Sequence, residues 1–172
     1  MTNPMEIAFF VAGSVAVIAT ILAITRLVAV HALLYLIVSL LAVAVVFYTM
    51  GAPLVAALEV IIYAGAIVVL FVFVVMMLNL GARTQETERK WLAGHAWIGP
   101  VSLSALLFVE VSYLIVRTST SAAMTSITTP KQIGLALYGP YLLGVELASM
   151  LLLGALVGAC HLGRTSSRKA QR

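Results

Sequence analysis

Three glutamates, Glu59, Glu110 and Glu146, stand inside long apolar runs of this chain. A charged carboxylate at the centre of a bilayer costs about 2.5–3.5 kcal/mol on insertion scales, so each acid is a candidate for proton handling. Tyr63 follows Glu59 by four residues, which puts both on one helix face. A phenol in lipid needs a hydrogen-bond partner, and Glu59 is within its reach. Each acid lies a turn or two inside the end of its run. They read either as protonatable groups along a polar path, titrating as a coupled set, or as acids held by partner helices, Tyr or Ser without proton traffic. Glu110, with Ser112 and Tyr113 nearby, fits the second reading best.

Other chemistries find little support. His31 opens one apolar run, His161 closes another and His95 lies between runs. None has a second ligand at helical spacing, so no metal site is expected. Cys160 is the single cysteine, and an iron–sulfur or zinc cluster needs several ligands. Cys160 is read as a small apolar helix residue. No nucleotide-binding glycine loop and no internal repeat is present. The net charge of +4 is no nucleic-acid signal, because its bases lie in loops and tail.

The elements that position the acids follow from composition. Hydrophobic residues make up 63% of 172 residues and charged residues 9%, with a mean hydropathy of +1.14. Soluble domains carry about 25% charged residues. This excludes an ordinary cytosolic enzyme, a disordered chain and a secreted disulfide scaffold. It implies an all-α, polytopic membrane protein. Apolar runs predict five transmembrane helices at about 7–25, 28–50, 54–80, 98–116 and 138–162, a single domain over 1–162, and a basic tail over 163–172. No base precedes the first run and Arg26 follows it, the reverse of a cleaved signal peptide. Gly51-Ala52-Pro53 predicts a tight turn, and Pro100 and Pro140 are placed in the first turns of helices four and five. Trp91 and Trp97 suit interfacial anchors of helix four. The segment 81–96 holds Arg83, Glu86, Glu88, Arg89 and Lys90, and 117–137 is read as a Ser/Thr-rich loop.

Five spans put the termini on opposite sides. Arg26, Arg83, Arg89, Lys90 and the tail's Arg164, Arg168, Lys169 and Arg172, eight of the ten bases, fall on one side; Arg117 and Lys131 fall on the other. The positive-inside rule then places the N-terminus outside, in the periplasm, and the C-terminus in the cytoplasm. Narrow helix faces occur at Ala56-Ala57, at Ala64-Gly65-Ala66 and at Gly144, Ala148, Gly154 and Gly158, which permits close packing within the chain or in a larger assembly.

Four segments carry a family resemblance: His31-Ala32-Leu33-Leu34-Tyr35-Leu36, Leu58 through Ile67, Leu70 through Asn79, and Gly139-Pro140-Tyr141 with Val145 through Leu152. They resemble the chain J family of bacterial NADH:quinone oxidoreductase, respiratory complex I, over Glu6 to about His161. The resemblance implies a membrane-arm subunit of the inner membrane that helps couple quinone reduction to proton translocation. It implies neighbours in chains A, H, K and N, and no cofactor in this chain, with FMN and Fe–S clusters in other subunits. Quinone is then handled by the complex. Glu59, Tyr63, Gly65 and Phe71 match the helix-three segment that changes shape in the family, and Glu146 matches a family acid.

A local defect there also has a reason in length. Leu54 to Leu80 is 27 residues, or about 40 Å as α-helix against a hydrocarbon core of roughly 30 Å. Tilt absorbs excess length, and so does a π-bulge near Tyr63 to Gly65. Switching between α and π forms rotates the residues beyond the bulge by about 100°, moving Val69 and Phe71. A straight, tilted helix is the alternative. At the level of function the rivals are a stand-alone transporter or channel and a purely structural membrane spacer. The topology is open to direct test. A reporter active only outside the membrane is expected to work when fused after Ala123 and to be silent after Arg172; the opposite pattern overturns this orientation.

Overall fold

Apolar runs of this length satisfy their backbone in lipid only by bonding it within the segment or within a closed barrel. The computed structural model, which describes residues 4–27, 29–77, 95–118 and 127–169, is helical in every regular element among those residues. Helix α1 spans Pro4–Thr25 and α2 Ala29–Thr49. The third span is composite: α3 over Pro53–Leu58, a π-helical segment over Glu59–Ile67, and α4 over Val68–Met77. Then follow α5 (His95–Thr118), α6 (Pro130–Leu137) and α7 (Leu142–Lys169). Five stretches are long and apolar enough to cross a membrane: Met5–Thr25, Ala29–Thr49, Pro53–Val75, Trp97–Val116 and Leu142–Gly163. The charged segment with Arg83, Glu86, Glu88, Arg89, Lys90 and Trp91, and residues 119–126 of the Ser/Thr-rich stretch, lie outside the described residues.

The chain divides into two units, Met1–Ile127 and Thr128–Arg172. In the first, α1 packs along α2, and α5 meets both. The seam is built on small residues. Ala8, Ala12, Ala16 and Ala19 of α1 are buried against Val38, Ala42 and Val45 of α2, with Leu107 and Leu114 of α5 closing the core. Without a hydrophobic drive in lipid, such alanine spacing lets backbones approach and dispersion contacts accumulate. One polar clamp joins the pair. The Thr20 and Ser39 hydroxyls lie 2.7 Å apart, and both reach the Ala16 carbonyl, at 2.8 and 3.2 Å. Interhelical hydrogen bonds of this kind average about 0.6 kcal/mol in a membrane protein.

The turn from α2 into α3 closes as its sequence requires. Gly51 takes φ 79°, where a side chain is strained. The Gly51 N–H donates to Tyr48 and the Ala52 N–H to Phe47, each at 3.0 Å, capping the carbonyls of α2. Pro53 then opens α3.

Three boundaries differ from the sequence reading. Helix α5 begins at His95, so Pro100 sits inside it and not in its first turn. Its missing N–H leaves the Ala96 carbonyl without an i+4 donor. Part of the 117–137 loop is the short helix α6, because Thr129 forms a capping box with Gln132 and Pro130 sets the first helical turn. Pro140 lies in the turn before α7, which starts at Leu142 and continues past Leu162 to Lys169. At that turn a Cβ on Gly139 would stand 2.7 Å from the Leu135 carbonyl oxygen, so the chain bends only with glycine there.

Tyr35, 2% exposed, ties α2 to both neighbours. The Arg26 guanidinium lies 5.2 Å from its ring centroid and donates to its hydroxyl at 3.4 Å. Across the seam the hydroxyl presses on Gly99 of α5, where a Cβ would collide with it. Gly99→Ala is therefore expected to destabilise the chain by about 1–3 kcal/mol, the usual range for overpacking. Tyr35→Phe should partly restore it by removing the clashing oxygen. Thermal unfolding of the detergent-solubilised assembly checks both the loss and the rescue.

Candidate functional site

The third span carries the sequence-derived residues on its π segment. In a π-helix each N–H bonds five residues back, which fits about one extra residue per turn, and such stretches gather at functional sites. Here the form persists over nine residues, Glu59–Ile67, and the Val68 N–H donates to the Tyr63 carbonyl as its last bond. Glu59 opens the segment and is half-buried, whereas Tyr63 is 51% exposed. Among the described residues no group hydrogen-bonds the Glu59 carboxyl or the Tyr63 hydroxyl. The two side chains therefore do not form the simple pair that their spacing permits.

Gly65 shows why glycine suits this place. A Cβ there would stand 3.1 Å from the Val60 carbonyl oxygen, the atom five residues back that the π form brings close. Val68, immediately after the segment, is 1% exposed and anchors the span, while Val69 and Phe71 remain more than half exposed. The sequence points to Val69 and Phe71 and gives no sign of Val68. A run of apolar β-branched residues does not mark which one faces inward.

The other acids occupy different settings. Glu110 sits on α5 against the Ala12 backbone of α1, with both carboxyl oxygens enclosed and no side-chain partner among the described residues. Glu146 lies on α7 in the second unit, exposed, and its backbone carbonyl accepts from the Ser149 hydroxyl at 2.7 Å. His31 is buried at the start of α2 with Nε2 enclosed and unpartnered among the described residues. Among the described residues no three His, Cys, Asp or Glu side chains converge on a metal-sized site.

Between α2, the third span and α5 runs an apolar groove of about 570 Å³, walled by Tyr48, Ala57, Val60, Leu107 and Leu114 among others. On the third span the wall is Pro53, Ala56 and Ala57 of α3 with Val60 of the π segment, and α5 faces them.

Residues 19–162 match the family of NADH-ubiquinone/plastoquinone oxidoreductase chain 6. The chain belongs to this family. A protein named NADH-quinone oxidoreductase subunit J from Pseudomonas aeruginosa is 56% identical over 166 residues, covering 96% of this chain and all of the relative. The subunit J of Escherichia coli K12 is 53% identical over 160 residues, covering 93% of this chain and 87% of its own. A more distant subunit J, from Buchnera aphidicola of Baizongia pistaciae, keeps 33% identity over 161 residues. The match contains α2, the π segment, α5 and nearly all of the fifth membrane-spanning stretch.

The crowding at Gly65 gives a test of what holds the π form. Gly65→Ala should push the segment toward i→i−4 bonding, since the Val60 oxygen recedes in an α-helix and alanine is favoured there by about 1 kcal/mol over glycine. A structure of the variant complex that keeps the i→i−5 bonds through Val68 would show that the glycine is not what permits them.

Proposed function

We propose that this chain works as the J subunit in the membrane arm of a proton-pumping NADH-quinone oxidoreductase, where span three couples quinone reduction to proton movement by changing between π and α forms. The observation that carries the coupling part is the nine-residue π segment bearing Glu59, Tyr63 and Gly65. Family membership and near full-length identity to subunit J proteins support the assignment to the complex.

Val68 is the pivot of the change. Losing the extra residue per turn rotates α4 by one residue's angle, about 100°. Ile67 or Val69 then takes the buried place of Val68. All three are β-branched and apolar, so the exchange keeps the transfer free energy of the buried place close to constant. What changes is the face that α4 turns to its surroundings and the bonding of the segment that Glu59 opens. In hydrocarbon every carbonyl freed during the change needs a partner, which the π bonding or a nearby hydroxyl supplies.

On this reading the chain lies in the bacterial inner membrane with its N-terminus outside, next to chains A, H, K and N. It carries no redox cofactor; FMN and Fe–S clusters belong to other subunits, and quinone is handled by the complex. Glu146 is a second candidate for proton handling. A stand-alone transporter predicts proton flux from the purified chain in liposomes. A passive spacer predicts full pumping once the complex has assembled.

Glu59→Gln removes the charge and keeps the shape. It is expected to lower NADH-driven proton pumping in membrane vesicles more than it lowers the amount of assembled complex, with a partial effect because waters and neighbouring chains can substitute. Pumping that stays unchanged in assembled complex removes Glu59 from the mechanism. Gly65→Val should depress coupled turnover with assembly retained; structures in several functional states that all show unbroken i→i−4 bonding from Tyr63 to Phe71 would sink the switch.

A further inference from the structure

Glu110 is the acid that the helix-three reading leaves unused. It lies inside the fourth membrane-spanning stretch, Trp97–Val116. Both carboxyl oxygens are sealed from the surface, and among the described residues no side chain bonds them. They face α1 at Ala12, which is fully buried, and the core at this level is alanine, valine and leucine. Glu6 of α1 is exposed more than one helical turn away from Ala12, and Tyr48 of α2 packs against the core as its hydroxyl-bearing member. On α5 itself, Tyr113 lies three residues on and Arg117 seven. No cation packs against the carboxyl among the described residues. Charge enclosed in such a place is costly unless it is paired, and no counter-charge stands beside it among the described residues.

We propose that Glu110 is a proton-binding site of this subunit, seated between α5 and α1, that keeps its proton while the two helices are packed and releases it when they part. On release the O–H bond breaks, the electron pair stays on the carboxylate, and the proton passes to water admitted at the seam. The alanine stripe of α1 makes that seam thin. Ala8, Ala12 and Ala16 offer no long side chain to refill a gap, so a small separation wets the carboxyl.

The site has a mechanical link to span three. Leu107 and Leu114 stand three residues before and four after Glu110, on its face of α5. Both are buried in the core with α1, and both also wall the groove whose other side includes Ala57 and Val60. A change of bonding at the start of the π segment, where Val60 lines the groove, bears on these leucines and through them on the packing of α5 against α1. This link rests on the switch proposed for span three; proton binding at Glu110 does not.

The test is infrared spectroscopy of the purified intact complex, with and without Glu110→Gln. In the resting complex a protonated-carboxyl band that shifts in D2O is expected and should be absent from the variant. NADH-driven pumping per NADH oxidised should fall to roughly half in assembled Glu110→Gln and in Glu110→Leu, and stay near the original in Glu110→Asp, which keeps a titrating group. A resting spectrum with no band lost on Glu110→Gln overturns the proposal, as does full pumping in both the Gln and the Leu variants. If those two fail to assemble, the band must move in assembled Glu110→Asp, and an unmoved band is equally fatal. Glu59→Gln should leave the Glu110 band in place, so failure of the helix-three reading shows separately.

Discussion

In the hydrocarbon core of a bilayer no water is available to bond a peptide N–H or C=O, and each group left open costs several kcal/mol. This constraint shapes the chain residue by residue. Hydroxyls inside the spans turn back on their own helix: Ser14 donates to the Phe10 carbonyl, Thr25 to Ile21 and Ser102 to Gly99, all within 3.0 Å. The α2–α3 turn closes its open carbonyls with the Gly51 and Ala52 N–H groups. The π segment meets the same demand in another register, its bonds running five residues back and ending with the Val68 N–H on the Tyr63 carbonyl. A π form is therefore admissible in lipid where a broken helix is not. That makes a change of helix type, in place of local unfolding, the natural way for a span to move.

Packing divides the first unit into a fixed part and a free part. The seam of α1, α2 and α5 is close-packed through alanines, tied by the Thr20–Ser39 clamp and pinned at one end by Arg26, Tyr35 and Gly99. The third span is different. Val68 is its anchor, while Tyr63, Val69 and Phe71 face out of the chain. A rotation of that span repacks little inside the subunit and much against whatever surrounds it in the assembly. This division suits a subunit whose effect is felt by its neighbours.

The acids follow the same division. Glu59 stands half-buried at the start of the π segment, whereas Glu110 is enclosed in the seam of α1 and α5. On the switch proposed for the third span, the first changes its surroundings with the form of the helix. The second changes its own only if the seam opens. Two carboxyls of one chain thus have different routes to water, and a difference in environment of this kind is what separates acid and base roles among chemically identical groups.

Much of this was legible in the residues alone. Five apolar runs, the Gly51 turn, the span-three acid with its tyrosine, and the family motifs all depend on local pattern, because length, hydropathy and capping chemistry act over a few residues. Other features follow readable but weaker rules, such as the α1 alanine spacing and the Thr129–Gln132 capping box behind α6. Tertiary structure alone decided which residue of Ile67-Val68-Val69 turns inward, that Pro100 sits within α5, that Tyr35 needs a glycine at position 99, and that Glu110, not Glu59, is the sealed carboxyl. Each of those depends on a surface contributed by a distant part of the chain or on the exact phase of a helix. In a sequence where nearly every position is apolar, hydropathy has no contrast left with which to mark that phase.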